Sequence, residues 1–148
     1  MRKISAGVYA KVQFRVKMDT EVRIQQEQRE AMDTRSRQLV LDIWLDQPLT
    51  QKVIESVLEI IRSHTTVLEK YDYRYSGMGQ TIVWILSESH FVFHSYPENN
   101  YFLIDLYVCD LTTDLEEIAS KIVDSLQVKE VQQEIHVRGV PGTPTAQD

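Results

Sequence analysis

The chain reads as an α+β protein: a two-layer α/β sandwich with an antiparallel sheet and its helices on one face. Three observations lead there. Past residue 37 the hydrophobic pattern switches between a period of two and a period near 3.6, in the order βαβββαβ. Turn signals are short, as in Gly77-Met78-Gly79 and Pro97-Glu98-Asn99-Asn100, which favours hairpins over long crossovers. The length of 148 residues, 43% hydrophobic and 26% charged, is that of one soluble domain able to bury a core.

Each element follows in order. Gly7 to Met18 alternates, with Val8, Ala10, Val12, Phe14 and Val16 on one side, and predicts a half-buried strand. Thr20 to Arg35 is polar and suits an exposed helix or a linker. Gln38 to Leu45 is a strand. Pro48 and Thr50 introduce a helix to about Ser63, its stripe set by Val53, Val57, Ile60 and Ile61. Val67 to Tyr75 returns to strand period and aligns Tyr71, Tyr73 and Tyr75 on one face. Gln80 to Ser89 is a strand through Ile82, Trp84 and Leu86, and Ser87 to Asp110 folds back on itself around the Pro97 turn. Thr113 with Glu116 marks a capping box for a second helix, buried through Leu115, Ile118, Ala119 and Ile122. Val131 to Val137 closes the sheet, and residues 140–148 have the composition of a disordered end.

The charge balance narrows the function. The net charge of −6 argues against a general nucleic-acid binder. It is unevenly spread: residues 1–37 carry nine Lys/Arg against five Asp/Glu, and the remainder seven against seventeen. No apolar run approaches the roughly 20 residues that span a bilayer, and the N-terminal stretch lacks the apolar block of a signal peptide. The expected setting is cytoplasmic, which suits a single cysteine.

Chemistry concentrates between Ser87 and Asp110. Glu88-Ser89-His90, His94, Tyr96-Pro97-Glu98 and Cys109 share two strand-like segments, and a hairpin is expected to gather Ser89, His94 and Cys109. Ser89 and His94 are an odd number of residues apart, so a regular strand would put them on opposite faces. A bulge or a strained turn at residue 89 is therefore expected.

These residues resemble the bacterial S-adenosylmethionine decarboxylases, pyruvoyl enzymes of spermidine synthesis. Members read Glu-Ser-His, His five residues after the serine, Trp-Pro-Glu, then Asp-x-x-x-Cys. The chain keeps these spacings, with Asp105 four residues before Cys109, and the likeness runs from about Arg37 to Gly139. Residues 1–36 then form an N-terminal extension, 37–139 the decarboxylase domain and 140–148 a tail. The resemblance implies self-cleavage between Glu88 and Ser89, with Ser89 as nucleophile on the Glu88 carbonyl and as source of a covalent pyruvoyl cofactor. Decarboxylating an α-amino acid needs such an electron sink, which no side chain supplies. His94 stands at the family's processing histidine, Thr81 at a serine that assists processing, and Cys109 at the thiol that protonates the substrate carbon. Tyr75 stands at a phenylalanine that stacks on adenine, and Glu98 at the carboxylate that binds ribose. The resemblance further implies S-adenosylmethionine as substrate and a homodimer of αβ units with the site between chains. Metal, nucleic acid and membrane have no part in this expectation.

Other positions depart from the family. Tyr96 replaces tryptophan, Phe102 and Leu103 replace small residues, and Ile82 and Asp110 replace glycines. Ile135 and Val137 replace glutamates. Bulk at Ile82, Phe102 and Leu103 is expected to shrink an adenosine pocket, which opens a second reading: the same chemistry on ornithine or arginine. A third is an uncleaved, non-catalytic homologue that regulates an active partner.

Overall fold

The computed structural model describes residues 34–141. The strand expected at Gly7–Met18, the polar segment up to residue 33 and the tail from residue 142 lie outside them. A compact unit begins at Thr34. Its elements are β1 (Ser36–Leu45), α1 (Gln51–His64), β2 (Val67–Arg74), β3 (Gln80–Leu86), β4 (Ser89–Tyr96), a 3₁₀ turn (Pro97–Asn99), β5 (Tyr101–Val108), α2 (Leu115–Asp124) and β6 (Val128–Arg138). Among the described residues no helix is long and apolar enough to cross a membrane.

The six strands form one sheet in the order β2-β3-β4-β5-β1-β6, with every neighbouring pair antiparallel. The sequence pattern predicted five strands past residue 37. The sixth arises because the run from Gln80 breaks at Ser87 and Glu88, making a tight β3–β4 hairpin where one long strand was expected. Thr50 caps α1 by accepting from the Val53 N–H at 3.3 Å. The second helix starts one residue later than the expected capping box. Asp114 is its cap, accepting from the Glu117 N–H at 2.9 Å. A carboxylate there also faces the positive end of the helix dipole.

Alternation along the strands separates two faces. Leu39, Leu41 and Ile43 of β1, Ile82, Trp84 and Leu86 of β3, Phe91 and Phe93 of β4, and Phe102, Ile104, Leu106 and Val108 of β5 are all buried. They meet Ile54, Val57 and Ile61 of α1 and Leu115, Ile118 and Ile122 of α2 in one core. Phe93 and Phe102, both fully buried, stack at 5.4 Å between ring centroids. Replacing Phe93 with alanine should destabilise the fold by about 3–5 kcal/mol, read as an earlier urea midpoint with little change in slope.

The opposite face carries no helix among the described residues. Its half-buried residues include Val40 and Trp44 of β1, Val92 and His94 of β4, and Leu103 and Tyr107 of β5. Trp44, Tyr101 and Tyr96 stack in a row across β1, β5 and β4, at 4.7 and 5.2 Å. Tyr101 also donates to Asp42. Its burial first, and the Asp42 carboxylate second, push the phenol well above its ordinary pKa and keep it neutral.

Candidate active site

The chemistry-bearing residues fall into two groups on this one sheet. The first surrounds the β3–β4 hairpin. Ser89 opens β4 opposite Val108 of β5, so it lies beside Cys109, the exposed residue that follows β5. The Cys109 N–H donates to the Glu88 carbonyl oxygen at 2.7 Å. That oxygen gains charge if the Glu88 carbonyl is attacked, and a backbone donor already aimed at it would stabilise the developing oxyanion. The Glu88 carboxylate accepts from the Thr66 N–H at 3.1 Å, while the Ser87 N–H donates to the Thr66 carbonyl at 2.9 Å. The turn is thereby tied to the α1–β2 connection on one side and to β5 on the other.

Ser89 has φ of +152°, a backbone conformation that residues with side chains rarely adopt. Such geometry costs of order 1–3 kcal/mol and persists only where neighbours enforce it. The strained turn expected from the odd Ser89–His94 offset is therefore present. Regular alternation cannot be extrapolated from His94 back through residue 89.

The second group is built on the other end of the β3–β4 pair. Thr81 and His94 stand directly opposite each other, and Thr81 Oγ1 lies 2.8 Å from His94 Nδ1. The Tyr75 hydroxyl is 3.0 Å from the same Thr81 oxygen. Tyr75 reaches it because Gly77 and Gly79, both at positive φ, turn the chain back, closed by a 3.1 Å bond from the Tyr75 N–H to the Gly79 carbonyl. A side chain at Gly79 would meet the Ser95 carbonyl oxygen at 2.7 Å, so only glycine fits there. A cleft of about 410 Å³ opens beside this group, lined by Tyr75, Met78, His94, Tyr96 and Glu98, among others. Glu98 is held at its rim by the 3₁₀ turn, which Asn100 ends in the left-handed region.

Two expectations need correction. The hairpin brings Ser89, Glu88 and Cys109 together, but not His94. Five residues of extended strand separate Ser89 from His94, about 16 Å at ~3.3 Å per residue. The second correction concerns the pocket. Ile82 and Phe102 do not narrow the cleft, because both are buried in the core on the helix-bearing face. Ile135 shares that face opposite Leu39, as does Val137 opposite Arg37, which pairs with Glu116 of α2. Asp110 is exposed after β5 and accepts from Thr112, a bond that lowers its pKa. Of the departures noted above, Tyr96 lines the cleft, and Leu103 stands opposite His94 on β5.

Comparison with known proteins decides the family. The profile described as S-adenosylmethionine decarboxylase matches residues 41–139. The chain belongs to the S-adenosylmethionine decarboxylase family. Among its relatives, the S-adenosylmethionine decarboxylase proenzyme of Bacillus cytotoxicus is 30% identical over 107 residues, covering 68% of this chain and 81% of that one. The proenzyme of Aquifex aeolicus is 25% identical over 92 residues, covering 59% and 68%. The crystal structure of the Aquifex aeolicus adenosylmethionine decarboxylase superposes with a TM-score of 0.60 at 20% identity, covering 78% of this chain and all of that one. That likeness supports the fold, including the sheet with helices on one face.

In this member of the S-adenosylmethionine decarboxylase family the Glu88-Ser89-His90 run falls on a strained hairpin. What sequence reasoning missed is the Tyr75 hydroxyl, which touches the Thr81–His94 pair. The signal was present in the aligned Tyr71, Tyr73 and Tyr75. The contact itself depends on the Gly77–Gly79 turn, which lies outside any strand period.

Proposed function

We propose that this member of the family is a self-processing, pyruvoyl-dependent S-adenosylmethionine decarboxylase serving polyamine synthesis. The observation that carries the reading is the Glu88–Ser89 turn. A strained serine follows a carbonyl whose oxygen already accepts from the Cys109 N–H at 2.7 Å. Attack of Ser89 Oγ on the Glu88 carbonyl carbon converts the amide to an ester and frees the Ser89 amine. Removal of the Ser89 Cα proton then expels Glu88 as a carboxylate and leaves dehydroalanine. Addition of water releases ammonia and leaves a pyruvoyl group on residue 89. Residues 1–88 and 89–148 become two chains. The pyruvoyl group supplies the carbonyl that withdraws electrons from the substrate carbon as carbon dioxide leaves.

The family resemblance and the two clusters on the sheet support the following roles for the surrounding residues. Cys109, exposed beside Ser89, returns a proton to the substrate carbon. His94 is the base of the elimination, supported by Thr81. Tyr75 offers a ring and Glu98 a carboxylate to a nucleoside in the cleft. A free, exposed thiol fits a reducing cytoplasmic setting.

The ~16 Å between Ser89 and His94 supports a homodimer in which the site is shared. A single chain cannot present both groups to one Cα. Two copies packed open face to open face about a two-fold axis can lay His94 of one over Ser89 of the other. The aromatic row and Val40, Val92 and Leu103 give that face apolar surface to bury.

The test is release of CO₂ from S-adenosylmethionine, ornithine and arginine, measured side by side on purified protein, with intact mass taken on the same sample. The expected result is two fragments that break between Glu88 and Ser89, and turnover of S-adenosylmethionine alone. Glu98→Gln should weaken S-adenosylmethionine binding by about 1–3 kcal/mol, the range for a charge-assisted hydrogen bond. Turnover of ornithine or arginine with no effect of Glu98→Gln would replace the nucleoside reading. A single uncut mass without turnover would point to the non-catalytic homologue.

A further inference from the structure

We infer that the Tyr75 hydroxyl is a positioning group: acting through Thr81, it fixes which nitrogen of His94 carries the proton. The inference rests on the reading of His94 as the base in self-cleavage and names a residue that sets its state.

The geometry is a three-member chain. Thr81 Oγ1 lies between the Tyr75 hydroxyl at 3.0 Å and His94 Nδ1 at 2.8 Å. A hydroxyl has one proton to give and lone pairs to accept with. Two arrangements satisfy both contacts while keeping the Thr81 proton within this chain of three. In one, Tyr75 donates to Thr81 and Thr81 donates to Nδ1, which puts the imidazole proton on Nε2. In the other, Nδ1–H donates to Thr81 and Thr81 donates to the Tyr75 oxygen, which leaves Nε2 unprotonated.

Only the second leaves His94 a free lone pair to act as a base, since Nδ1 is taken up by Thr81 in both. Its requirement is an acceptor for the Thr81 proton, and the Tyr75 oxygen is the one in reach. Leu103, opposite His94 on β5, is apolar, and the Tyr75 phenol can pass its own proton to solvent because the residue is 53% exposed.

Tyr75→Phe keeps the ring and removes only the oxygen. Thr81 is then left with His94 Nδ1 as the partner for its proton. The imidazole tautomer should invert, and Nε2 becomes a donor. The expected effect on self-cleavage is a slowing of about tenfold, a part of what a positioned base contributes.

The experiment has two readouts. Nitrogen-15 NMR of histidine-labelled protein reports the tautomer directly. It is recorded in the Ser89→Ala background, where the chain stays whole, and the His94 signals are assigned by their loss in His94→Ala. The expected result is a protonated Nδ1 with Tyr75 present and a protonated Nε2 in Tyr75→Phe. In parallel, the cleavage rate of otherwise native chains is followed for Tyr75→Phe, Thr81→Val and His94→Ala. A tautomer or a cleavage rate unchanged by Tyr75→Phe, with cleavage abolished in His94→Ala, overturns the role of Tyr75 and leaves His94 as the base. Native-rate cleavage in His94→Ala removes His94 as the base, and the inference falls with it.

Discussion

Replacing Ser89 with alanine leaves a folded chain that stays whole and releases no CO₂ from S-adenosylmethionine. The loss should be complete, because the reaction needs an oxygen that can bond to the Glu88 carbonyl carbon and alanine has none. The fold should survive. Ser89 sits at the start of β4, and the turn's hydrogen bonds use the backbone of Ser87 and Cys109 and the carbonyl and carboxylate of Glu88. Alanine is disfavoured at a φ of +152° about as much as serine, so the strain remains and only the nucleophile goes. Intact mass and circular dichroism on the same sample separate the two effects. Cleavage persisting in this variant would sink the assignment of Ser89 and, with it, the origin of the cofactor.

The second large effect comes from mixing defects. Neither Ser89→Ala nor His94→Ala alone should cleave. Co-expressed, they should: a mixed dimer pairs the intact Ser89 of the His94→Ala chain with the intact His94 of its partner. With equal amounts and random pairing, about half of the His94→Ala chains should be cut, since half meet the other variant. The Ser89→Ala chains stay whole throughout, and a tag on one variant shows which has been cut. Mixed dimers that form but leave both chains whole would mean that the base acts within its own chain, against the ~16 Å strand separation.

Much of this was legible in one dimension, though unevenly. The odd offset between Ser89 and His94 demanded a distortion, and Ser89 carries it. The same offset, multiplied by the rise of a strand, already implied that the two residues were too far apart to meet within a chain. The expected pocket-narrowing bulk at Ile82 and Phe102 fails for a different reason, the face of the sheet. Each alternates in step with Trp84 or Ile104, and the helices decide that this register is the inside. What periodicity could not show were contacts made off the strands. Asp114 displaced Thr113 as a helix cap by a single residue, and Tyr75 found Thr81 only after two glycines reversed the chain.

The strand order has a consequence for the protein after cleavage. The piece ending at Glu88 owns β1, β2 and β3, and the piece starting at Ser89 owns β4, β5 and β6. In the sheet, β3 lies against β4, and β1 is inserted between β5 and β6. Three of the five ladders therefore join one piece to the other, and two lie within a piece. The fragments are dovetailed: neither holds a sheet that could stand by itself, and β1 cannot leave without stripping two neighbours. A cut molecule should behave as an obligate heterodimer, with a melting temperature that rises with protein concentration, where the Ser89→Ala chain needs no such reassociation of fragments.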